Sequence, residues 1–276
     1  MPTRASGLRE LAPRFDAFFV DVWGVLHHGD GPFDGVVGAL EGLAAAGREV
    51  VLLTNTSRLG NAVAATLGGM GIDRALFHDV VTAGDVTRAA LALRAPPLPR
   101  APRCYHYGAA SFVPWLFALD LAFTDDVADA DLVVATGAVA DDAELDAARA
   151  HLASAAARKV PLVCTNPDRV IPTAGGPKLG PGAVAHAYAE LGGPIFLYGK
   201  PYAPIYAEAR RRIDATRILA LGDTLETDVR GARDAGLPSA LVARSGVHAG
   251  VAPSALDALF EREHVTPDFV LDRFVW

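Results

Sequence analysis

Four polar side chains stand where apolar segments of the chain end, namely Asp21, Thr54, Lys200 and Asp223. If those segments are parallel strands of one sheet, their carboxyl ends meet at a single crevice, which is where open α/β sheets bind ligands. A carboxylate can accept a phosphoryl group, while a hydroxyl and an ammonium bind the oxygens on which negative charge accumulates. The set and its order therefore point to phosphoryl transfer.

Further acidic residues accompany this set. Asp223 and Asp228 lie in one short loop, and together with Asp21 they offer the oxygen ligands that Mg²⁺ prefers in proteins. A bound cation would also reduce the repulsion between a phosphate and an attacking carboxylate. We therefore expect Mg²⁺ as the cofactor. The alternative for Asp21 taken by itself is a carboxylate that caps the turn before Gly24.

The first part of the chain alternates between buried strands and helices. The apolar segment that carries Asp21 is followed by predicted strands at residues 49–53 and 79–82. Helices are predicted between them at residues 36–46 and 59–70, each ended by a glycine. This β-α-β-α-β order indicates a parallel sheet with right-handed crossovers.

The pattern changes in the middle of the chain. Residues 95–102 hold four prolines, cannot be helical, and mark a domain edge. Further strands are predicted at residues 103–107, 131–135 and 161–164, helices at 110–118, 141–158 and 183–191, and a glycine- and proline-rich loop at 172–182. We expect an α/β fold in which residues 1–85 and 195–276 form a doubly wound, Rossmann-like core and residues 86–194 form an inserted α/β cap.

Composition excludes several classes of protein. The formal charge of −7 and the lack of a basic run argue against a nucleic-acid partner. No apolar run approaches the roughly 18 residues of a membrane span, and the mixed polar residues 1–17 argue against a signal peptide. Cys104 and Cys164 form no metal-binding pair and indicate reduced core thiols. We expect a cytoplasmic globular protein.

In this order, the motifs resemble those of the haloacid-dehalogenase superfamily over nearly the whole chain. The matching segments are Asp-Val-Trp-Gly-Val-Leu with Asp21 as nucleophile, Leu-Leu-Thr-Asn with Thr54 and Asn55 at phosphate, Tyr-Gly-Lys-Pro with the catalytic Lys200, and Gly-Asp-Thr-Leu-Glu-Thr-Asp with Asp223 and Asp228 at the metal. The resemblance implies an aspartyl-phosphate intermediate on the nucleophile and a Mg²⁺ cofactor. Capping of the following helix is the alternative use of Asn55.

The position of the predicted cap resembles that of the NagD-type branch, class IIA, whose C2 caps are inserted between the second and third motifs. Within that branch the first motif is similar to a subgroup that reads Asp-x-Trp-Gly-Val-Leu-His. The resemblance implies that Asn166 and Asp168 face the substrate from the cap, although Asn-Pro-Asp is also an ordinary turn sequence. Because caps of this branch often mediate dimers, a homodimer is a further expectation.

One position departs from the superfamily. Its phosphatases carry a second Asp two residues after the nucleophile, which protonates the leaving group and then activates water, whereas this chain has Trp23 there. An indole does not ionise usefully, and removal of a general acid–base group typically slows a reaction about a hundred- to ten-thousand-fold. Metal binding should persist, since in the family this position contributes its backbone carbonyl, here that of Trp23, to Mg²⁺.

Two histidines are candidates for the missing proton-transfer group. His27 or His28 could supply it from the loop after the first motif, because histidine titrates in the right range. The alternative is that both face solvent. The aromatic residues Phe112, Trp115 and Phe117 are predicted to pack in the core of the cap.

These observations favour a magnesium-dependent phosphatase of a small phosphorylated metabolite, such as a sugar phosphate or a nucleotide-like compound. It would act through an aspartyl-phosphate on Asp21, slowly because of Trp23. One alternative is a phospho-ligand binding protein without efficient catalysis. The other is a metal-independent dehalogenase of 2-haloacids, against which the acidic pair Asp223 and Asp228 argues.

Overall fold

The computed structural model describes residues 2–94, 98–100, 102–171 and 176–276. Its strands, in chain order, are β1 (Thr3–Ala5), β2 (Ala17–Asp21), β3 (Glu49–Thr54), β4 (Asp79–Thr82), β5 (Arg103–Tyr107), β6 (Ala122–Phe123), β7 (Leu132–Ala135), β8 (Leu162–Cys164), β9 (Val170–Ile171), β10 (Lys178–Leu179), β11 (Ile195–Leu197), β12 (Ile218–Gly222), β13 (Ser239–Val242) and β14 (Phe269–Leu271). Its α-helices are α1 (Leu8–Leu11), α2 (Val36–Ala45), α3 (Gly60–Gly69), α4 (Ala83–Ala92), α5 (Pro114–Phe117), α6 (Asp142–Ala157), α7 (Pro181–Glu190), α8 (Ala203–Arg210), α9 (Arg230–Asp234) and α10 (Leu256–Glu263).

The described residues fall into two compact units. Residues 2–54, 60–81 and 200–276 form the first, which we call the core unit. Residues 55–59 and the described part of 82–199 form the second, which we call the inserted unit. The predicted boundaries at residues 85/86 and 194/195 differ from the observed ones by a few residues. The prediction also assigned residues 55–59 to the core, whereas they belong to the inserted unit.

The core unit is built on a seven-stranded sheet of order β1-β14-β13-β12-β2-β3-β4. The pairings that link β1 through β14, β13, β12 and β2 to β3 are parallel. Every residue of β2 and of β12 is buried, which is expected of parallel strands that lie at the centre of a sheet. The strand that carries Asp21 is thus held on both sides by backbone hydrogen bonds.

Both faces of this sheet are covered. Ala240 and Val242 of β13 pack in one apolar cluster with α1 and α2, whereas Leu241 between them packs in a second cluster with α10. Side chains alternate across a strand, so the two clusters lie on opposite faces. The prediction of a doubly wound α/β fold is confirmed.

The inserted unit contains a five-stranded sheet of order β11-β8-β7-β5-β6, parallel in every pairing. A short antiparallel ribbon of β9 and β10 belongs to the same unit. Strand β11 begins at Ile195, where the sequence placed the return to the core, but it pairs with β8. An apolar triplet has the same pattern in either of two parallel sheets, so the sequence could not assign this strand to one of them.

The predicted helix at residues 110–118 is interrupted. A 3₁₀ turn precedes α5, which starts at Pro114, where the missing amide hydrogen costs nothing. Trp115 is buried as predicted and donates its indole hydrogen to the Ser57 carbonyl at 2.9 Å. The prediction is wrong for Phe117, which is 46% exposed and stacks on Phe123 with ring centroids 4.9 Å apart.

Some predicted features lie outside the described residues. These are half of the proline-rich segment at residues 95–102, part of the loop at 172–182 and the side chain of Phe112. None of the helices in the described ranges combines the length and the apolar character needed to cross a membrane.

Two glycines of α2 give a test of the packing. A Cβ at Gly38 would meet no atom within 4 Å, so Gly38→Ala should raise the free energy of unfolding by about 0.5–1 kcal/mol through the entropy of the unfolded chain. A Cβ at Gly42 would lie 2.3 Å from the Trp276 ring, so Gly42→Ala should lower the free energy of unfolding. Urea denaturation of both variants measures the two signs, and equal effects would contradict the packing of Trp276.

Candidate active site

The ends of three neighbouring strands define the site. Asp21 is the last residue of β2 and is paired in register with Leu53 of β3, so Thr54 follows at the adjacent strand end. Strand β12 lies on the other side of β2 and ends at Gly222, which places Asp223 directly after it. Asp21, Thr54 and Asp223 are all buried. The parallel register thus brings the three side chains to one edge of the sheet, as their spacing suggested.

Lys200 is the residue at which the core unit resumes after the inserted unit, and its side chain lies at the same edge of the sheet. Its ammonium donates hydrogen bonds to Oδ1 of Asp21 at 2.6 Å and to Oδ1 of Asp228 at 2.7 Å. All three side chains are buried. Burial alone would lower the pKa of Lys200, but the two carboxylates raise it above its ordinary value, so the side chain stays a cation.

Asp21, Asp223 and Asp228 form an acidic cluster. One carboxylate oxygen of each lies within 4.8 Å of the others. Burial, together with repulsion among the carboxylates, raises the pKa of each of the three to about 6, against the lowering effect of the Lys200 charge. Three buried carboxylates against one ammonium leave an excess of negative charge, and a bound cation would favour the ionised forms. Oxygen donors in this number fit a hard divalent cation such as Mg²⁺.

Loop backbone holds the two later carboxylates. Asp223 accepts a hydrogen bond from the Val247 amide at 2.7 Å and another from the Thr224 hydroxyl at 3.2 Å. Asp228 accepts one from the Thr224 amide at 3.1 Å. Asp228 lies in a π-type turn, Leu225–Val229, that runs into α9. Such turns are frequent at functional sites because they re-aim side chains.

Three glycines pack directly against these carboxylates. A Cβ at Gly24 or at Gly246 would lie 2.4 Å or 1.9 Å from Oδ2 of Asp223, and a Cβ at Gly222 would lie 2.0 Å from Cγ of Asp228. Gly24 also has a φ of +80°, which side-chain-bearing residues rarely adopt. Asp223 and Asp228 therefore occupy space that is available only because positions 24, 222 and 246 are glycines.

Sequence reasoning missed the loop after β13 and the residue Tyr206. Val247 binds Asp223, and the Ser245 hydroxyl donates to the Gly24 carbonyl at 2.8 Å, which joins this loop to the first motif. The Tyr206 hydroxyl lies near the backbone carbonyls of the turn that carries Asp228. The Ser245-Gly246 pair, which follows the apolar segment at residues 239–242 after two residues, was the one available signal for the loop.

The residues after the first motif form a compact loop. Trp23 is 36% exposed, and its ring meets that of His27 edge-on with centroids 5.3 Å apart. His27 is 7% exposed, so the interpretation that both histidines face solvent is wrong for it. Burial lowers the pKa of His27, and its Nδ1 accepts a hydrogen bond from the Gly29 amide at 3.1 Å. His28 is exposed and stacks on Phe33.

Three other predicted site residues meet in the inserted unit. The amide of Asn55 donates to Oδ1 of Asp168 at 2.8 Å, and the Asp168 amide hydrogen binds Oδ1 of Asn166 at 2.9 Å. The hydroxyls of Ser57 and Thr165 lie 2.5 Å apart in the same unit. Asn166 thus forms the turn that its sequence suggested, and the predicted roles of the three residues in substrate binding stay predictions.

Comparison with known proteins bears on the family. A family model described as haloacid dehalogenase-like hydrolase matches residues 18–121, and a second, HAD-hydrolase-like model matches residues 197–275. The D-glycerol 3-phosphate phosphatase of Mycobacterium tuberculosis is 30% identical over 264 residues, which cover 95% of this chain and 71% of that protein. The chain is a haloacid dehalogenase-like hydrolase.

Solved structures of this superfamily match the fold. A haloacid dehalogenase-like hydrolase from Brucella suis 1330 has a TM-score of 0.83 at 32% identity, covering 98% of this chain and 100% of that one. The M. tuberculosis glycerol phosphate phosphatase in complex with magnesium has a TM-score of 0.72 at 29% identity, covering 94% of this chain and 76% of that one. These relatives confirm the superfamily and its NagD-type branch and support a phosphoric monoester hydrolase with a divalent metal. The subgroup defined by Asp-x-Trp-Gly-Val-Leu-His stays a prediction.

The glycine at position 246 tests whether the acidic cluster holds the metal. Gly246→Ala should displace Asp223 and weaken Mg²⁺ binding about ten- to a hundred-fold, because the new methyl group would overlap the carboxylate. Gly250→Ala, in the same loop with nothing within 4 Å of its Cβ, is the matched control. Calorimetric Mg²⁺ titration of both variants gives the readout, and unchanged affinity in Gly246→Ala would remove Asp223 from the metal site.

Proposed function

We propose that this haloacid dehalogenase-like hydrolase is a magnesium-dependent phosphatase of a small phosphorylated metabolite, such as a sugar phosphate or a nucleotide-like compound. The observation that carries the proposal is the buried carboxylate of Asp21 at a strand end, 2.6 Å from the ammonium of Lys200 and within an acidic cluster with Asp223 and Asp228. A carboxylate nucleophile, a fixed cation and oxygen ligands for a metal are the parts that phosphoryl transfer needs.

The nucleophile in this proposal is Asp21. Its carboxylate oxygen attacks the phosphorus, the bond from phosphorus to the leaving oxygen breaks, and an aspartyl-phosphate forms. Water then attacks the phosphorus, the bond to Asp21 breaks, and the carboxylate is regenerated as inorganic phosphate departs. Splitting one difficult displacement into two easier ones is the advantage of a covalent intermediate.

The neighbouring groups bind charge. Lys200 stays protonated and holds the Asp21 carboxylate in place through a charge-assisted hydrogen bond, so it acts as a donor and not as a base. The hydroxyl of Thr54 and the amide of Asn55 are proposed to bind phosphate oxygens. A divalent cation is proposed to be held by Asp21, Asp223, Asp228 and the backbone carbonyl of Trp23. When bound, Mg²⁺ supplies positive charge that offsets the negative charge of the phosphate.

The remaining proposals concern the wider protein. We assign catalysis to the core unit, which holds most of the predicted residues 1–85 and 195–276, and substrate recognition to the inserted unit, which holds the described part of residues 86–194. In the inserted unit Asn166 and Asp168 form a turn next to Asn55. Cys104 and Cys164 are both free and buried, which supports work in the reducing cytoplasm. The homodimer stays a prediction drawn from the resemblance.

The two alternatives differ from the phosphatase in what they require. A 2-haloacid dehalogenase needs one carboxylate and no metal, so the burial of two further carboxylates beside Asp21 would serve no purpose there. A phospho-ligand binding protein would keep the cation and the metal site but form no covalent intermediate. The following two experiments separate them.

Replacement of the nucleophile tests the covalent step. Asp21→Asn should reduce phosphate release from p-nitrophenyl phosphate to background, because the amide oxygen is a far weaker nucleophile than the carboxylate. Mass spectrometry of the acid-quenched wild type should show a phosphoryl group on Asp21 that is absent from the variant. Phosphate release that survives in Asp21→Asn would exclude the proposed nucleophile, and phosphate binding with no phosphorylation of the wild type would favour the binding protein.

Removal of the metal tests the cofactor. Chelation with EDTA should abolish phosphate release, and added Mg²⁺ should restore it, because the attack brings together two anions in a buried acidic site. Chloride release from 2-chloropropionate, measured in parallel, should be absent under both conditions. Chelator-resistant chloride release without phosphatase activity would establish the dehalogenase instead.

A further inference from the structure

The side chain two residues after the nucleophile carries no ionisable proton. Trp23 occupies this position directly beyond the end of β2 and is 36% exposed. Its indole can donate a hydrogen bond but does not transfer the proton at any ordinary pH. A leaving oxygen can therefore be solvated by this residue but not protonated by it.

The hydrogen bonding of His27 does not replace the missing acid. The Gly29 amide donates to Nδ1 at 3.1 Å, so the lone pair of Nδ1 is engaged and the proton of the neutral ring lies on Nε2. A neutral imidazole in this form offers no lone pair at Nε2 to accept a proton from water. It also does not release its N–H proton to a leaving group. The ring instead fixes the loop, packed edge-on against Trp23.

Two other protonated groups of the core unit near the nucleophile, those of Lys200 and Tyr206, are already engaged. The Lys200 ammonium is held between the carboxylates of Asp21 and Asp228. The Tyr206 hydroxyl lies near the carbonyl oxygens of Thr227 and Asp228. Proton donation from either group would leave buried negative charge without its compensating partner, which is costly.

Resting on the proposed phosphatase function and narrowing its substrate class, we propose that the preferred substrates are phosphate compounds whose leaving group departs as a stable anion, namely acyl and aryl phosphates. Alkyl phosphate esters, which include most sugar phosphates and nucleotides, are then the poorer substrates. An oxygen of Asp21 bonds to phosphorus while the bond from phosphorus to the leaving oxygen breaks. The electron pair stays on that oxygen, which departs as a carboxylate or a phenolate and needs no proton. An alkyl ester would have to expel an alkoxide, which neither Trp23 nor His27 can protonate.

The second half of the reaction has the same restriction for every substrate. Water attacks the aspartyl-phosphate, the electron pair of the breaking bond returns to Asp21, and the proton of water passes to the released phosphate. Trp23 has no basic atom, Nδ1 of His27 is engaged by the Gly29 amide, and Lys200 is a cation, so none of these three residues takes that proton first and we expect this step to be slow. Because the intermediate is common to all substrates, the leaving group should affect kcat/KM but not kcat for as long as hydrolysis of the intermediate limits turnover. For the most basic leaving groups the first step becomes the slower one, and kcat should then fall as well.

A graded series of leaving groups tests the proposal on the wild-type protein. Aryl phosphates from p-nitrophenyl to phenyl phosphate, acetyl phosphate and glycerol 3-phosphate are assayed with Mg²⁺ under identical conditions. We expect kcat/KM to fall steeply as the leaving group becomes more basic, with an initial burst of p-nitrophenolate. A flat series, or glycerol 3-phosphate hydrolysed as efficiently as acetyl phosphate, would overturn the proposal.

Two variants at position 23 identify the cause. Trp23→Asp should raise kcat/KM for glycerol 3-phosphate about a hundred- to ten-thousand-fold and flatten the series, since it restores a proton donor. Trp23→Asn, of the same size but without an ionisable group, is the matched control and should not. Equal gains in the two variants would show that Trp23 acts by its bulk, and no gain in Trp23→Asp would count against the missing acid as the cause.

The two levels of inference fail separately. If no compound of the series releases phosphate or phosphorylates Asp21, the proposed phosphatase function itself is wrong. If phosphate is released by way of Asp21 but without dependence on the leaving group, the phosphatase stands and the substrate class proposed here is wrong.

Discussion

The ammonium of Lys200 between the carboxylates of Asp21 and Asp228 is the interaction on which the site depends. Removing charges from water costs several kcal/mol per ion even after relaxation, and a paired partner with good geometry recovers much of it. Here one cation serves two carboxylates while Asp223 adds a third within 4.8 Å. The charge of Lys200 therefore does not neutralise the three carboxylates of the site. It leaves negative charge that favours a divalent cation and, through it, an anionic phosphate.

The topology of the sheet explains how such distant residues meet. Lys200 lies 179 positions from Asp21 in the chain, with the inserted unit between them. Strand β2 lies between β3 and β12, so the first motif is flanked by the second on one side and by the acidic motif on the other. Gly24, Gly222 and Gly246 then allow backbone to approach the carboxylates closely. The order of the strands determines which side chains are neighbours in the site, and the glycines allow the short distances between backbone and carboxylates.

The parts that could be predicted from sequence are those tied to strand ends. Asp21, Thr54 and Asp223 follow buried apolar runs, and parallel strands bring their ends together whatever the intervening chain does. Val247 could not be found in this way, because a loop amide that binds a carboxylate has no side-chain signature. The assignment of β11 failed for a related reason, since an apolar triplet does not specify which of two parallel sheets it joins.

Burial of individual side chains was the least predictable property. A histidine in a loop rich in glycine reads as exposed, yet His27 is held by the Gly29 amide and by the ring of Trp23. Phe117 reads as core by its helical spacing, but the helix is only one turn long, so the face it would have buried is not continuous. In both cases tertiary contacts, not local pattern, decide whether a side chain meets water.

The same contacts show why Trp23 need not disrupt the site around it. Its ring lies against His27, and a Cβ at Gly29 would be 3.3 Å from the indole, so the residue packs with the loop that follows the first motif. Among the described residues, the hydrogen bonds that hold Asp21 and Asp223 come from Lys200, Thr224 and Val247 and not from the Trp23 side chain. Stabilisation of phosphate charge and transfer of protons are thus carried by different groups. In the proposed mechanism the groups that stabilise phosphate charge are retained, and the lack of an acid at position 23 matters in proportion to how much a given leaving group needs a proton.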